Sequence, residues 1–139
     1  MNKRILGFIA AVMLLTACSE ADNTDLTDPL ESGRGFIDAT LKGDYKKAEH
    51  HLLPDSTNLE YLQGLRDFNK NSTKLERQNY SEANIIIDSV KDVSDSVSII
   101  YYANTYKREP TKIKMVKKEG NWLVDFKFTF NENDQPVMP

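Results

Sequence analysis

An α+β domain, three helices followed by a four-stranded antiparallel sheet, is what this sequence predicts. Three observations carry the prediction. From Leu30 to Phe68 apolar residues recur at three- and four-residue steps, the period of an amphipathic helix. Beyond residue 82 the period falls to two and the composition shifts to β-branched and aromatic residues. Between these runs stand Asp, Gly and Pro, the residues that cap helices and make turns. Helices first and strands after place the helices on one face of the sheet.

The first helix is expected over about 29–42. Asp28 supplies an N-cap oxygen and Pro29 a residue suited to the first helical position. Leu30, Ile37 and Leu41 recur at near-helical spacing with Phe36 beside them, while Gly33 and Gly35 each weaken the helix by about 1 kcal/mol relative to Ala. Gly43 ends it as a residue with positive φ. Asp44 caps a second helix at about 44–53, in which Tyr45, Ala48 and Leu52 share a face and Pro54 is the stop. Asp55-Ser56 begins a third at about 56–69, with Leu59, Leu62, Leu65 and Phe68 at three-residue steps.

Strands are expected at 82–90, 96–106, 111–118 and 121–130. In the last, Trp122, Val124, Phe126, Phe128 and Phe130 alternate with Leu123, Asp125, Lys127 and Thr129, which puts Asp125 in the solvent-facing phase. Val97, Ile99 and Tyr101 alternate with Ser98, Ile100 and Tyr102. Asp92 to Asp95, Arg108 to Pro110 and Glu119-Gly120-Asn121 mark the three turns. The result is a meander with one apolar face.

Ahead of the domain, Met1-Asn2-Lys3-Arg4 is a basic start and Ile5 to Leu15 an apolar run of eleven, a secretory signal in form. A membrane-spanning helix needs roughly 20 apolar residues. Leu15-Thr16-Ala17-Cys18 resembles the bacterial lipobox, Leu-[Ala/Ser/Thr]-[Gly/Ala]-Cys. That resemblance implies removal of residues 1–17 and acylation of Cys18, with palmitate among the chains such proteins carry and a membrane as the partner of the lipid. A thiolate is the nucleophile such acylation requires, and two or more acyl chains anchor stably where one does not. Cys18 is the one cysteine in the sequence, so no disulfide supports the fold. Residues 18–28 are polar and acidic and read as a flexible tether; 29–131 form the domain and 132–139 a C-terminal tail. Ser19 after the cysteine resembles lipoproteins sent to the outer membrane, and Glu20-Ala21-Asp22 resembles the tethers of surface-exported ones.

The formal charge of the sequence is −3, and removal of Lys3 and Arg4 makes it −5. An acidic domain of this kind is not a nucleic-acid binder.

Two further stretches carry a family resemblance. Phe36-Ile37-Asp38-Ala39 followed by Lys42-Gly43-Asp44-Tyr45-Lys46-Lys47-Ala48 is similar to the helix–turn–helix of small bacterial nuclear transport factor 2-like lipoproteins. Val116 to Asp125, with Gly120 and Trp122, is similar to their closing hairpin. The family implies a curved sheet wrapped around the helices into a cone, often with a pocket at its mouth, and many of its envelope members have no assigned function. The family's enzymes place Asp, His and Tyr inside the cone, but no position here matches a catalytic motif.

Candidate pocket residues are Asp88, which follows Ile85-Ile86-Ile87, together with Tyr101, Trp122 and Phe126. A carboxylate among apolar groups would have the raised pKa of a proton-transfer group; the plainer reading of Asp88 is a solvated strand-end carboxylate. His50 and His51 point about 100° apart on a helix and cannot clamp one metal together, so no metal or cofactor is expected; they read as helix-end residues. Lys112, Lys114 and Lys118 share a phase with Val116. They form either an interaction face for an anionic partner or the lysine guard of an edge strand. The expected function is a non-catalytic, lipid-anchored binding or interaction module of the cell envelope, with an envelope protein as partner. The alternative is a carrier or enzyme that holds a small apolar ligand in the cone interior. A dry interior closed by Trp122, Phe126, Phe128 and Tyr101 favours the first, and an open pocket on the order of several hundred Å³ with Asp88 or a tyrosine directed into it favours the second.

Overall fold

The computed structural model describes residues 25–131. The signal segment, Cys18, most of the tether and the tail lie outside the described residues. Four helices precede the sheet: α1 (Pro29–Leu41), α2 (Tyr45–His50), α3 (Ser56–Asn71) and α4 (Lys74–Glu82). Four strands follow, β1 (Ile85–Ser94), β2 (Val97–Asn104), β3 (Thr111–Lys118) and β4 (Asn121–Asp125), and a 3-10 helix closes the fold over Phe126–Phe130. The architecture is α+β, as the change of period predicts.

The helix starts follow the expected chemistry. The side chains of Asp28, Asp44 and Asp55 accept hydrogen bonds from the backbone N–H groups of Glu31, Lys47 and Asn58 at 2.8–3.0 Å. Gly43 has φ 74°, the conformation that ends α1. The fourth helix was not expected from periodicity, because no residue of it is buried and Leu75 is exposed. It is held at its start by a capping box, in which Thr73 and Glu76 satisfy each other's backbone donors.

The sheet is antiparallel with order β1-β2-β3-β4. Glu119 and Gly120 both have positive φ, so the β3–β4 hairpin turns in two residues with Lys118 opposite Asn121. The inner face of the sheet presents Ile100, Ile113, Met115 and Val124, all fully buried, to Phe36 and Ile37 of α1. Gly33, which weakens α1 as an isolated helix, permits this approach: a Cβ there would lie 2.4 Å from Ile100 Cδ1.

Two expectations are corrected at the end of the chain. Strand β4 stops at Asp125 instead of running to residue 130, and Asp125 is 7% exposed instead of facing solvent. Asn58, fully buried at the start of α3, is the cause. Its Nδ2 donates to Asp125 Oδ1 (3.1 Å) and its Oδ1 accepts from the Lys127 N–H (2.8 Å). Lys127 Nζ lies 2.5 Å from Asp125 and 3.1 Å from Asp55, closing the network. Period-two alternation of phenylalanines therefore continues in sequence beyond the strand that it describes.

Strand β3 is interior to the sheet, so its lysines do not guard an edge. The β4 edge is covered by the chain at His51–Leu53, where Val124 N donates to His51 O (2.7 Å), and by Leu26, whose carbonyl accepts from Trp122 N (2.8 Å). The folded unit thus begins within the segment expected to be tether. Strand β1 is the open edge, interrupted by register shifts at Ile87/Ser89 and Asp92/Ser94, irregularities that discourage edge-to-edge pairing. No helix among the described residues is long and apolar enough to cross a membrane.

Candidate functional site

A cleft of about 200 Å³ opens between α1, α3, the sheet and the 3-10 helix. Its apolar walls are Phe36, Ile37 and Leu41 from α1, Leu65 and Phe68 from α3, and Phe126 and Phe130 from the 3-10 helix. The last two reach it because the chain coils after Asp125: Phe126 meets Phe36 edge-on at 5.0 Å, and Phe130 stacks on Tyr61 at 4.5 Å. Phe68 and Phe130, 58% and 47% exposed, stand at the rim.

The remaining lining is polar but uncharged: Thr40, Tyr45, Asn69, Tyr80, Tyr102, Asn104, Thr111 and Thr129. Several of these groups are already committed. Thr40 donates to Ile37 O (2.8 Å), Thr129 to Lys112 O (2.8 Å) and Tyr45 to Leu65 O (3.4 Å). Asn104 Oδ1 accepts from the backbone N–H groups of Tyr106 (3.0 Å) and Lys107 (2.9 Å). Tyr102 lies opposite Thr111 in the β2–β3 register and two residues from Asn104, so strand geometry groups these three at one end.

Loss of water around the hydroxyl holds the pKa of Tyr102 well above the usual phenol range, and the same effect raises Tyr45 and Tyr80. At neutral pH all three are protonated donors and none is a base. Among the described residues the lining contains no carboxylate, histidine, cysteine or lysine that could take a proton or attack a substrate. The cleft can solvate an uncharged guest and offer it hydrogen bonds.

The candidates read from the sequence are scattered around this site. Phe126 lines it. Trp122 is buried at 8% exposure but lies outside the lining, under Lys117. Tyr101 points to the opposite face of the sheet from Tyr102, paired with Lys112. Asp88 is exposed at the first register shift of β1, in mid-strand. The β2 tyrosine of the cleft is therefore Tyr102, one residue from the expected one, because the apolar face of β2 follows Ile100.

The basic face is also corrected. Lys112 is 3% exposed, with its Nζ 4.7 Å from the Phe128 ring centroid and no hydrogen-bond partner. Lys114 is half-buried between Phe128 and Asp125, and only Lys118 is exposed. The three do not form one solvent-facing patch.

His51 stands at the end of α2 as its C-cap, as the sequence reading has it, and its burial is what that reading did not anticipate. It is fully buried against Gly35, where an added Cβ would lie 2.4 Å from its Cε1. The Ser32 hydroxyl donates to Trp122 O at 2.7 Å and lies 3.2 Å from His51 Nδ1, so with its own proton spent it accepts from the ring Nδ1–H. With its proton given to a carbonyl, Ser32 is a strut between α1, α2 and β4 and is not an activated nucleophile. His50 is exposed, and no cluster among the described residues could hold a metal ion. A sequence signal for the His51 contact existed in Gly35, a helix-weakening residue placed in an otherwise apolar helix.

Comparison of the chain with protein-family models, with curated proteins and with solved structures found no match.

Proposed function

We propose that this protein is a lipid-anchored, non-catalytic binding module of the bacterial envelope that takes a small uncharged apolar group in the cleft beside Tyr102. The observation that carries the reading is the lining: fifteen residues, seven of them Phe, Ile, Leu side chains and none charged, around about 200 Å³. A dry engineered cavity of about 150 Å³ already binds benzene, so the space suits a guest of one ring or a short branched chain. The absence of any base or nucleophile in the lining supports binding without turnover.

The basic start, the apolar run and the lipobox at residues 15–18 support the envelope placement, with the lipid on Cys18 holding the domain at a membrane, the outer one on the strength of Ser19. The order of helices and antiparallel strands is compatible with a nuclear transport factor 2-like cone whose mouth is this cleft.

Two measurements test the reading. Titration of the full chain in phosphatidylcholine nanodiscs with α-methylstyrene, against empty nanodiscs, reports saturable binding that Thr40→Trp abolishes while far-UV circular dichroism is unchanged. Absence of saturable binding refutes the cleft. Fatty-acid labelling of cells is lost in Cys18→Ala, with the precursor left uncut; equal labelling of the two forms refutes the anchor.

A further inference from the structure

We infer that the guest of this cleft is uncharged and carries one hydrogen-bond acceptor, a ketone, ester or amide carbonyl, which it presents to the Tyr102–Asn104 end. The inference rests on the cleft being a binding site, and it comes from which polar groups there are still unspent. Thr40, Thr129 and Tyr45 have given their protons to backbone carbonyls. Asn104 has its Oδ1 fastened by two backbone N–H groups, which fixes the amide so that its remaining face is the Nδ2 donor. Among the described residues nothing pairs with the Tyr102 hydroxyl. That end of the cleft therefore offers donors; Asn69 and Tyr80 add polar groups elsewhere in the lining, and seven of its fifteen residues are Phe, Ile or Leu.

An acceptor on the guest satisfies these donors, whereas a purely apolar guest leaves them without water and unpaired, which costs binding energy. A carboxylate or phosphate would gain the same hydrogen bonds but bring a charge into a lining that holds no cation. A rigid one-ring body is set by the volume and by the phenylalanine walls.

A matched set of probes separates the possibilities: acetophenone, its isostere α-methylstyrene, in which a methylene replaces the carbonyl oxygen, and benzoate. Each is titrated into the full chain in phosphatidylcholine nanodiscs, with empty nanodiscs as reference, by saturation-transfer NMR of the ring protons. Acetophenone binds roughly three- to tenfold tighter than α-methylstyrene, the factor that one net hydrogen bond supplies. Benzoate binds weakest. In Tyr102→Phe, acetophenone loses its advantage over α-methylstyrene, because the donor that one probe pairs and the other leaves unpaired is gone.

Equal affinity of the two neutral probes in the wild type overturns the acceptor inference and leaves the apolar cleft standing. A carbonyl preference that survives in Tyr102→Phe overturns Tyr102 as the donor. Tightest binding of benzoate overturns the exclusion of charge. Failure of both neutral probes to bind overturns the cleft itself and the inference with it.

Discussion

Gly35→Ala is the substitution for which helix propensity and tertiary structure disagree in sign. Gly35 lies inside α1, and alanine in a helix interior is favoured over glycine by about 1 kcal/mol. In the fold, however, the new methyl would stand 2.4 Å from His51 Cε1 and 2.6 Å from Nε2, where real Cβ contacts do not come below 3.0 Å. The ring has little room to retreat. It is fully buried, its Nδ1 is held by Ser32, and its backbone carbonyl accepts from Val124 at 2.7 Å. Overpacking of this kind costs about 1–3 kcal/mol, and displacing the Ser32–His51 hydrogen bond adds about 1 kcal/mol. Against the gain in propensity the net loss is about 1–3 kcal/mol, a fall in Tm of about 4–12 °C for a domain of this size. Gly64→Ala is the control. It makes the same chemical change inside α3 at an exposed position with nothing within 4 Å, and it should stabilise by about 0.5–1 kcal/mol. Thermal unfolding followed by circular dichroism measures both. Stabilisation by Gly35→Ala would refute the close approach, as would a penalty that persists when His51 is also replaced by Ala.

Trp122→Ala should destabilise by about 3–5 kcal/mol, since the ring is buried beside Val124; an unchanged melting temperature would contradict its place in the core. Lys112→Met should stabilise by about 1–2 kcal/mol in urea unfolding, because removing a buried ammonium without a hydrogen-bond partner outweighs loss of its contact with Phe128. A lowered urea midpoint would reverse that balance, and charge reversal to Glu at this position should destabilise the fold. The backbone N–H of Asn58, followed by Lys127, holds the pKa of Asp55 below the usual carboxylate range. Its stabilising effect is therefore present above about pH 4, the unfolded value, and is lost as pH falls through the lower folded value. Asp55→Asn should be less stable than wild type at neutral pH and equal to it in strong acid; a gap independent of pH would mean that the charge is not what matters.

The sequence by itself determined the helix starts, the two-residue turn at Glu119-Gly120, the four strands and their order of appearance. These depend on neighbours along the chain: an Asp oxygen over the next turn, a positive φ, a period of two. It also contained the cap of α4 in Thr73 and Glu76, a local signal that apolar periodicity hides because that helix buries nothing. What only the tertiary structure decided depends on residues far apart. Whether the alternation from Trp122 to Phe130 is one strand or a strand and a coil was settled by Asn58, some sixty-seven positions away from Asp125, whose amide takes the carboxylate and the next N–H together. Whether Tyr101 or Tyr102 faces the helices was settled by which face of β2 meets α1, a choice that two apolar phases in one strand leave open. Lys112 could be placed beneath Phe128 only once the chain coiled back over the sheet, and His51 against Gly35 only once α1 and α2 had packed. The cleft is of the same kind: its lining comes from four helices, two strands and the 3-10 helix, and no segment of the sequence carries its outline.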